Sequence, residues 1–173
     1  HAEYTSNPPL WQWMADYAAQ HKLGMQVHIS ETRLEHENCL EKYGKTPVAL
    51  LDQYGGWERG GTAAHCVWVT DEDMALMAQK HITAVHNPVS NLKLGSGVAR
   101  VPQLLKAGVN VTLGTDGVSS NNNTDLFEEI KLAAILHKGV QHDPMTVTAH
   151  EALAMATVNG AKALGRDTGV IAP

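Results

Sequence analysis

Short apolar runs alternate with longer amphipathic stretches along this chain. Four of the short runs are rich in β-branched or small residues, and each ends in a polar or ionisable side chain: Gly24-Met25-Gln26-Val27-His28, Thr62-Ala63-Ala64-His65, Ile82-Thr83-Ala84-Val85-His86 and Val109-Asn110-Val111-Thr112-Leu113-Gly114-Thr115-Asp116. Runs of this length and composition predict strands. The stretches between them carry helix punctuation. Thr70-Asp71-Glu72-Asp73 resembles a capping box and predicts a helix to Lys80. Asp125 with Glu128 opens a helix that Gly139 closes, and Thr148 with Glu151 opens one that runs to Leu164 with Gly165 as its stop. Ahead of the first strand, Pro8-Pro9 suits a first helical turn, where the missing N–H has no partner to lose, and Leu10, Trp11, Met14 and Ala18 follow on one face.

From His28 to His65, His86 and Asp116 the intervals are 37, 21 and 30 residues, the rhythm of βα units and a parallel sheet. An open sheet and a barrel both have this rhythm. An open sheet gathers its ligand site at one switch point. Here chemistry-bearing residues stand at the carboxyl ends of all four strands, the functional face of a (β/α)8 TIM-type barrel. Four strands make only part of such a barrel.

Composition narrows the function classes. With 43% hydrophobic and 18% charged residues, the 173-residue chain can bury a sizeable core and reads as one globular unit. A net charge of -5, with no run of Lys or Arg, offers no stripe for a phosphate backbone, so nucleic acid is not an expected partner. No apolar stretch is long enough to span a bilayer and the first residues have no signal-peptide pattern, so a soluble cytoplasmic protein without a membrane partner is expected. Cys39 and Cys66 sit in no CxxC pair and are expected to be reduced and structural. His21, His36, His81, His137 and His142 lie in polar or helix-end contexts that predict surface positions.

The remaining chemistry is concentrated. His28 and Asp116 are a nitrogen and an oxygen ligand of the kinds a catalytic zinc accepts. Glu31 follows three residues after His28, and His65 stands one strand on. Taken singly, each has a bland reading as a strand-capping or turn residue. A metal, a nearby carboxyl and a second His are together the parts needed to activate water and move protons. HExxH, GxSxG, a Walker loop and Pro-Cys-x-x-Cys are all absent.

At these residues the chain resembles a known family. His28-Ile29-Ser30-Glu31-Thr32 is similar to the HxSET segment of the cytosine deaminase, guanine deaminase and chlorohydrolase branch of the amidohydrolase superfamily. The run from His86-Asn87-Pro88-Val89-Ser90-Asn91 to Gly97, then Gly114-Thr115-Asp116-Gly117 and Ser120-Asn121-Asn122, is similar to the 5-methylthioadenosine/S-adenosylhomocysteine deaminases, as is His1-Ala2-Glu3-Tyr4-Thr5. The resemblance covers essentially the whole chain with its motifs in order. It implies that residues 1–173 form about strands 5 to 8 of a metal-dependent hydrolase barrel, with His28 from the fifth strand and Asp116 from the eighth as ligands of one divalent metal, zinc or iron. It further implies Glu31, His65 and Asp116 as catalytic groups and His1, Glu31, His86 and Asp116 as contacts to a purine nucleoside. A loose terminal residue is the other reading of His1, and a structural histidine the other reading of His86.

The implied activity is hydrolytic deamination to the inosine analogue and ammonia. Another aminohydrolase or chlorohydrolase of the branch, acting on guanine, a pterin or an s-triazine, is the nearest alternative. A non-catalytic βα binding protein is a distant one. The family's HxH pair of ligands does not occur in this sequence. The chain ends at Gly169-Val170-Ile171-Ala172-Pro173, near where relatives enter a small β-domain, so the expectation is a piece of a longer enzyme, with the rest of the barrel as its first partner and a homo-oligomer as a further one.

Overall fold

The computed structural model describes residues 1–171; Ala172 and Pro173, the end of the segment expected to lead into a β-domain, lie outside them. After a single 3-10 turn at Glu3–Thr5, helix α1 (Pro8–His21) leads to β1 (Met25–Ile29), then α2 (Arg33–Tyr43) and α3 (Pro47–Gln53). Three more units follow. They are β2 (Gly61–His65) with α4 (Asp71–Gln79), β3 (Ile82–His86) with α5 (Pro88–Lys93) and α6 (Val101–Lys106), and β4 (Val111–Leu113) with α7 (Val118–Asn121), α8 (Leu126–Gln141), α9 (Ala149–Ala156) and α10 (Val158–Ala163).

All strand pairs are parallel, and their order across the sheet is β1-β2-β3-β4. Sequential order without a reversal is the arrangement of a barrel segment; a doubly wound sheet would reverse at a switch point. On the far side of β1 an isolated bridge pairs Ala2 with His28 in parallel, and the His28 N–H donates to the His1 carbonyl at 2.9 Å. Helices cover the sheet because the strand side chains Val27, Ile29, Ala63, Ile82, Ala84 and Val111 need apolar partners. Met74, Met77, Leu104, Ala133 and Met155 supply them from α4, α6, α8 and α9.

The caps explain several boundaries. Thr70 with Asp73 and Thr148 with Glu151 are full capping boxes, as is Thr32 with Glu35, which opens the unexpected α2. Other expectations need correction. Gly139 lies inside α8, which continues to Gln141 and ends where His142 takes a left-handed φ of 53°. The helix expected from Thr148 to Leu164 breaks at Thr157, whose φ of -125° and ψ of -93° are not helical. In α1 the buried face is Trp11, Ala15 and Ala18, while Leu10 and Met14 are exposed. β4 contracts to three residues. Two histidines expected at the surface are buried: His36, bonded to the Ser30 hydroxyl at 3.0 Å, and His137, packed on His86. Both cysteines are free and buried, and burial pushes the Cys39 thiol up to about 12.

Candidate functional site

The carboxyl ends of β1 and β2 bring together the residues singled out from sequence. Among the described residues, His28, Glu31 and His65 place one potential ligand atom each within 4.8 Å of one another. His28 Nδ1 and His65 Nε2 are 3.0 Å apart, and His65 Nε2 is 3.6 Å from Glu31 Oε2. His1 is ordered against them, its ring stacked on His28 at 4.4 Å and 17°.

Strand pleat decides which histidines can meet. Register pairs Met25 with Gly61 and Val27 with Ala63, and these in turn with Ile82 and Ala84, so they share one side of the sheet; His28, paired with Ala64, faces the other. His65 belongs by alternation with Ala63. Its φ of 72° breaks the pleat, and its ring reaches His28. His86 keeps the alternation with Ile82 and Ala84 and meets His137 of α8, with 3.4 Å between their Nε2 atoms. His86 is 2% exposed, and its Nδ1 has no hydrogen-bond partner. Burial and the neighbouring ring push His86 down to about 3, and burial pushes His137 down to about 4.

The hydrogen-bond chain fixes the tautomers. Asn91 Oδ1 lies 2.8 Å from His65 Nδ1, and a carbonyl oxygen only accepts, so Nδ1 carries the proton. His65 Nε2 then accepts from His28 Nδ1–H. The lone pair on His28 Nε2 is left free, which is the state a metal ligand needs. Burial and the His65 ring lower the His28 pKa, against the opposing charge of Asp116, and keep the imidazole neutral near pH 7.

Asp116 is ionised by a different route. Burial raises its pKa, but donors outweigh burial: the Ser90 hydroxyl at 2.7 Å and the Ser120 hydroxyl at 2.8 Å donate to Oδ2, and the Gly117 N–H at 2.8 Å donates to Oδ1. The net shift is downward. Its backbone is left-handed, at φ 60°, as are Ser30 at 49° and Cys66 at 51°. Non-glycine residues held in this region at three strand ends mark local strain, which concentrates at functional sites. Asp116 is not one of the three side chains with clustered ligand atoms. A neutral imidazole nitrogen and an ionised carboxylate are nonetheless donors of the type a borderline divalent ion takes, so His28 and Asp116 fit such an ion chemically.

Sequence reasoning missed Asn91, Ser90 and Ser120 as working residues. All three lie in the quoted motifs; the available signal was their place beside His86 and Asp116, but which polar group each would bond could not be read from spacing.

The Amidohydrolase family model matches residues 1–173. The chain is 51% identical over 171 residues to a 5-methylthioadenosine/S-adenosylhomocysteine deaminase of Thermococcus sibiricus, covering 99% of this chain and 40% of that protein. It is 49% identical to a 5'-deoxyadenosine deaminase of Methanocaldococcus jannaschii, covering 99% of this chain and 41% of that one. Among solved structures it superposes on an adenosine deaminase from Xanthomonas campestris with bound zinc, at a TM-score of 0.89 and 38% identity, over 94% of this chain and 37% of that one. The chain thus spans about 40% of the length of the curated relatives it matches.

Proposed function

This chain belongs to the amidohydrolase family, and from that premise we propose that the full-length protein is a metal-dependent hydrolytic deaminase of adenosine-type nucleosides, converting 5-methylthioadenosine or S-adenosylhomocysteine to the inosine analogue and ammonia. One observation carries the reading. His28, Glu31 and His65 converge within 4.8 Å at the carboxyl ends of adjacent parallel strands. The relatives' names and the zinc of the adenosine deaminase structure support the substrate class and the metal.

His28 and Asp116 would hold the ion, zinc or iron, with further ligands from outside this chain, since catalytic zinc normally takes three protein ligands. When bound, the ion supplies Lewis-acid activation of water near neutral pH. Asp116, held ionised by Ser90 and Ser120, takes a proton from the attacking water. Attack at C6 of the purine places electron density on N1, and Glu31 delivers the proton needed there. His65, oriented by Asn91 through Nδ1–H, turns its unprotonated Nε2 toward the site, where it accepts a hydrogen bond from the hydroxyl formed on C6. Asp116 returns its proton to the amine as the C6–N bond breaks and ammonia leaves, while the hydroxyl on C6 gives its proton back to Glu31 and becomes the product carbonyl. His1, stacked on the outer face of His28, lies on the substrate side. His86 is buried against His137 and forms the wall behind the site; direct contact with the nucleoside falls to His1, Glu31 and Asp116.

No helix among the described residues is long and apolar enough to cross a membrane; a cytoplasmic location is part of this proposal. The test is ammonia release by the full-length protein from S-adenosylhomocysteine, 5-methylthioadenosine, 5'-deoxyadenosine, adenosine, guanine and an s-triazine. Turnover of the adenine nucleosides is expected. A preference for guanine or the s-triazine would transfer the protein to another activity of the branch, and no turnover on any of them would sink the reading.

A further inference from the structure

The turn that carries Glu31 is built around a second carboxylate. Glu35, on the first turn of α2, is buried, and its Oε1 accepts from the Ser30 N–H at 2.8 Å, while its Oε2 accepts from the Glu31 N–H at 2.8 Å and the Thr32 N–H at 3.4 Å. A capping box requires only the last of these, the bond from the third helical residue back to the N-cap amide. The two shorter bonds lie outside that motif. Three successive N–H groups pointing at one anion form a nest, the backbone concavity that usually receives a phosphate or other free anion. Here the chain supplies the anion itself.

We propose that Glu35 is a positioning residue of the reaction, its carboxylate filling this nest and so fixing the turn that aims Glu31 at His65. The inference rests on the role given to Glu31 above. Several features make the clamp necessary. Ser30 is left-handed, at φ 49°, a conformation an ordinary side chain leaves unless the surroundings hold it. The Ser30 hydroxyl is tied from the other side by His36 Nδ1 at 3.0 Å. Glu31 itself has little else to orient it: its side chain meets His65 at 3.6 Å and the Ser96 hydroxyl at 3.5 Å, both long. The backbone must therefore set its direction. Behind Glu35 lies the buried carboxyl of Glu3, whose Oε2 finds no donor. Two carboxyls in contact under burial keep one proton between them, and burial together with the charge of Glu35 pushes Glu3 up to about 8. Burial raises the Glu35 carboxyl too, but the Glu31, Thr32 and Ser30 N–H groups oppose it and favour a carboxylate at the nest, so the shared proton sits on Glu3 and Glu35 faces the nest as the anion.

A double-mutant cycle on full-length, metal-loaded protein separates positioning from general structural support. Glu35→Gln keeps the shape but turns an amide NH2 toward an N–H donor. It should lower kcat by about 10-fold or more with little change in KM or metal content, the scale of a misaimed catalytic group. In a Glu31→Gln background the same substitution should change kcat by less than about 2-fold, because the group it aims no longer moves a proton. Glu35→Asp provides a charged variant should the amide fold poorly. A kcat for Glu35→Gln within about 2-fold of wild type, or an equal further loss in both backgrounds, overturns the clamp while leaving Glu31 in place. Failure of both Glu35 variants to fold overturns it as well, since the carboxylate would then serve the fold. Full turnover by Glu31→Gln alone would instead remove Glu31 from the mechanism.

Discussion

Two buried histidines behind the site should make the protein acid-labile in a definable window. His86 and His137 are each at most 2% exposed, and burial lowers them from the ordinary 6.5 to about 3 and about 4. Between those values and 6.5 the unfolded chain binds protons that the folded chain refuses. Stability therefore rises with pH through the window and is lost as pH falls below about 6.5. At pH 5.0 an unfolded histidine is almost fully protonated and either buried one almost fully neutral. Going from pH 7.5 to 5.0 then costs about 2 kcal/mol per group, or about 4 kcal/mol for the pair, against a typical total of about 5–15 kcal/mol. His137→Gln removes one titrating group and keeps an N–H that can face His86 Nε2. Urea unfolding of the full-length protein at pH 7.5 and 5.0 measures the difference. The variant should lose about 2 kcal/mol less than wild type on acidification, because carboxylates elsewhere titrate equally in both. An unchanged loss, within about 0.5 kcal/mol, would refute the assignment of His137 as a buried neutral base and with it the account of the wall.

Removing either proposed ligand, by His28→Ala or Asp116→Ala, should reduce bound metal as well as activity, measured as metal per full-length protein; unchanged stoichiometry in both would place the ion elsewhere. Gly61→Ala should destabilise by about 3 kcal/mol or more, since φ is 152° and a Cβ there would be driven into the Met25 carbonyl oxygen between β1 and β2; a thermal midpoint near wild type would show that the strands can separate at that point. Residues 1–173 expressed alone should show neither a cooperative transition nor stoichiometric zinc, because four parallel strands leave β4 unpaired along one edge and apolar side chains such as Phe127 and Met145 uncovered. A sharp unfolding transition with one zinc per chain would contradict that.

By itself, the sequence determined the elements and their rhythm. Strand cores, four of the helix starts and the placement of His28, His65, His86 and Asp116 at strand ends were legible, because side-chain period and capping chemistry are local properties of the chain. Motif resemblance carried the site further than spacing could, to His1 and to a specific role for Glu31. Tertiary structure decided what those ends face. A pleat alternates strictly, so parity of register sends His86 to the helix layer against His137. A left-handed φ at His65, which no local pattern announces, rotates that ring to His28. The same holds for the supporting groups. Asn91 bonds a residue 26 positions away, and Ser90 bonds Asp116 across the same interval, so their partners exist only once parallel strands bring distant segments side by side. His36 and His137 looked like surface residues because polar neighbours in sequence say nothing about the hydroxyl or imidazole that packing delivers from elsewhere.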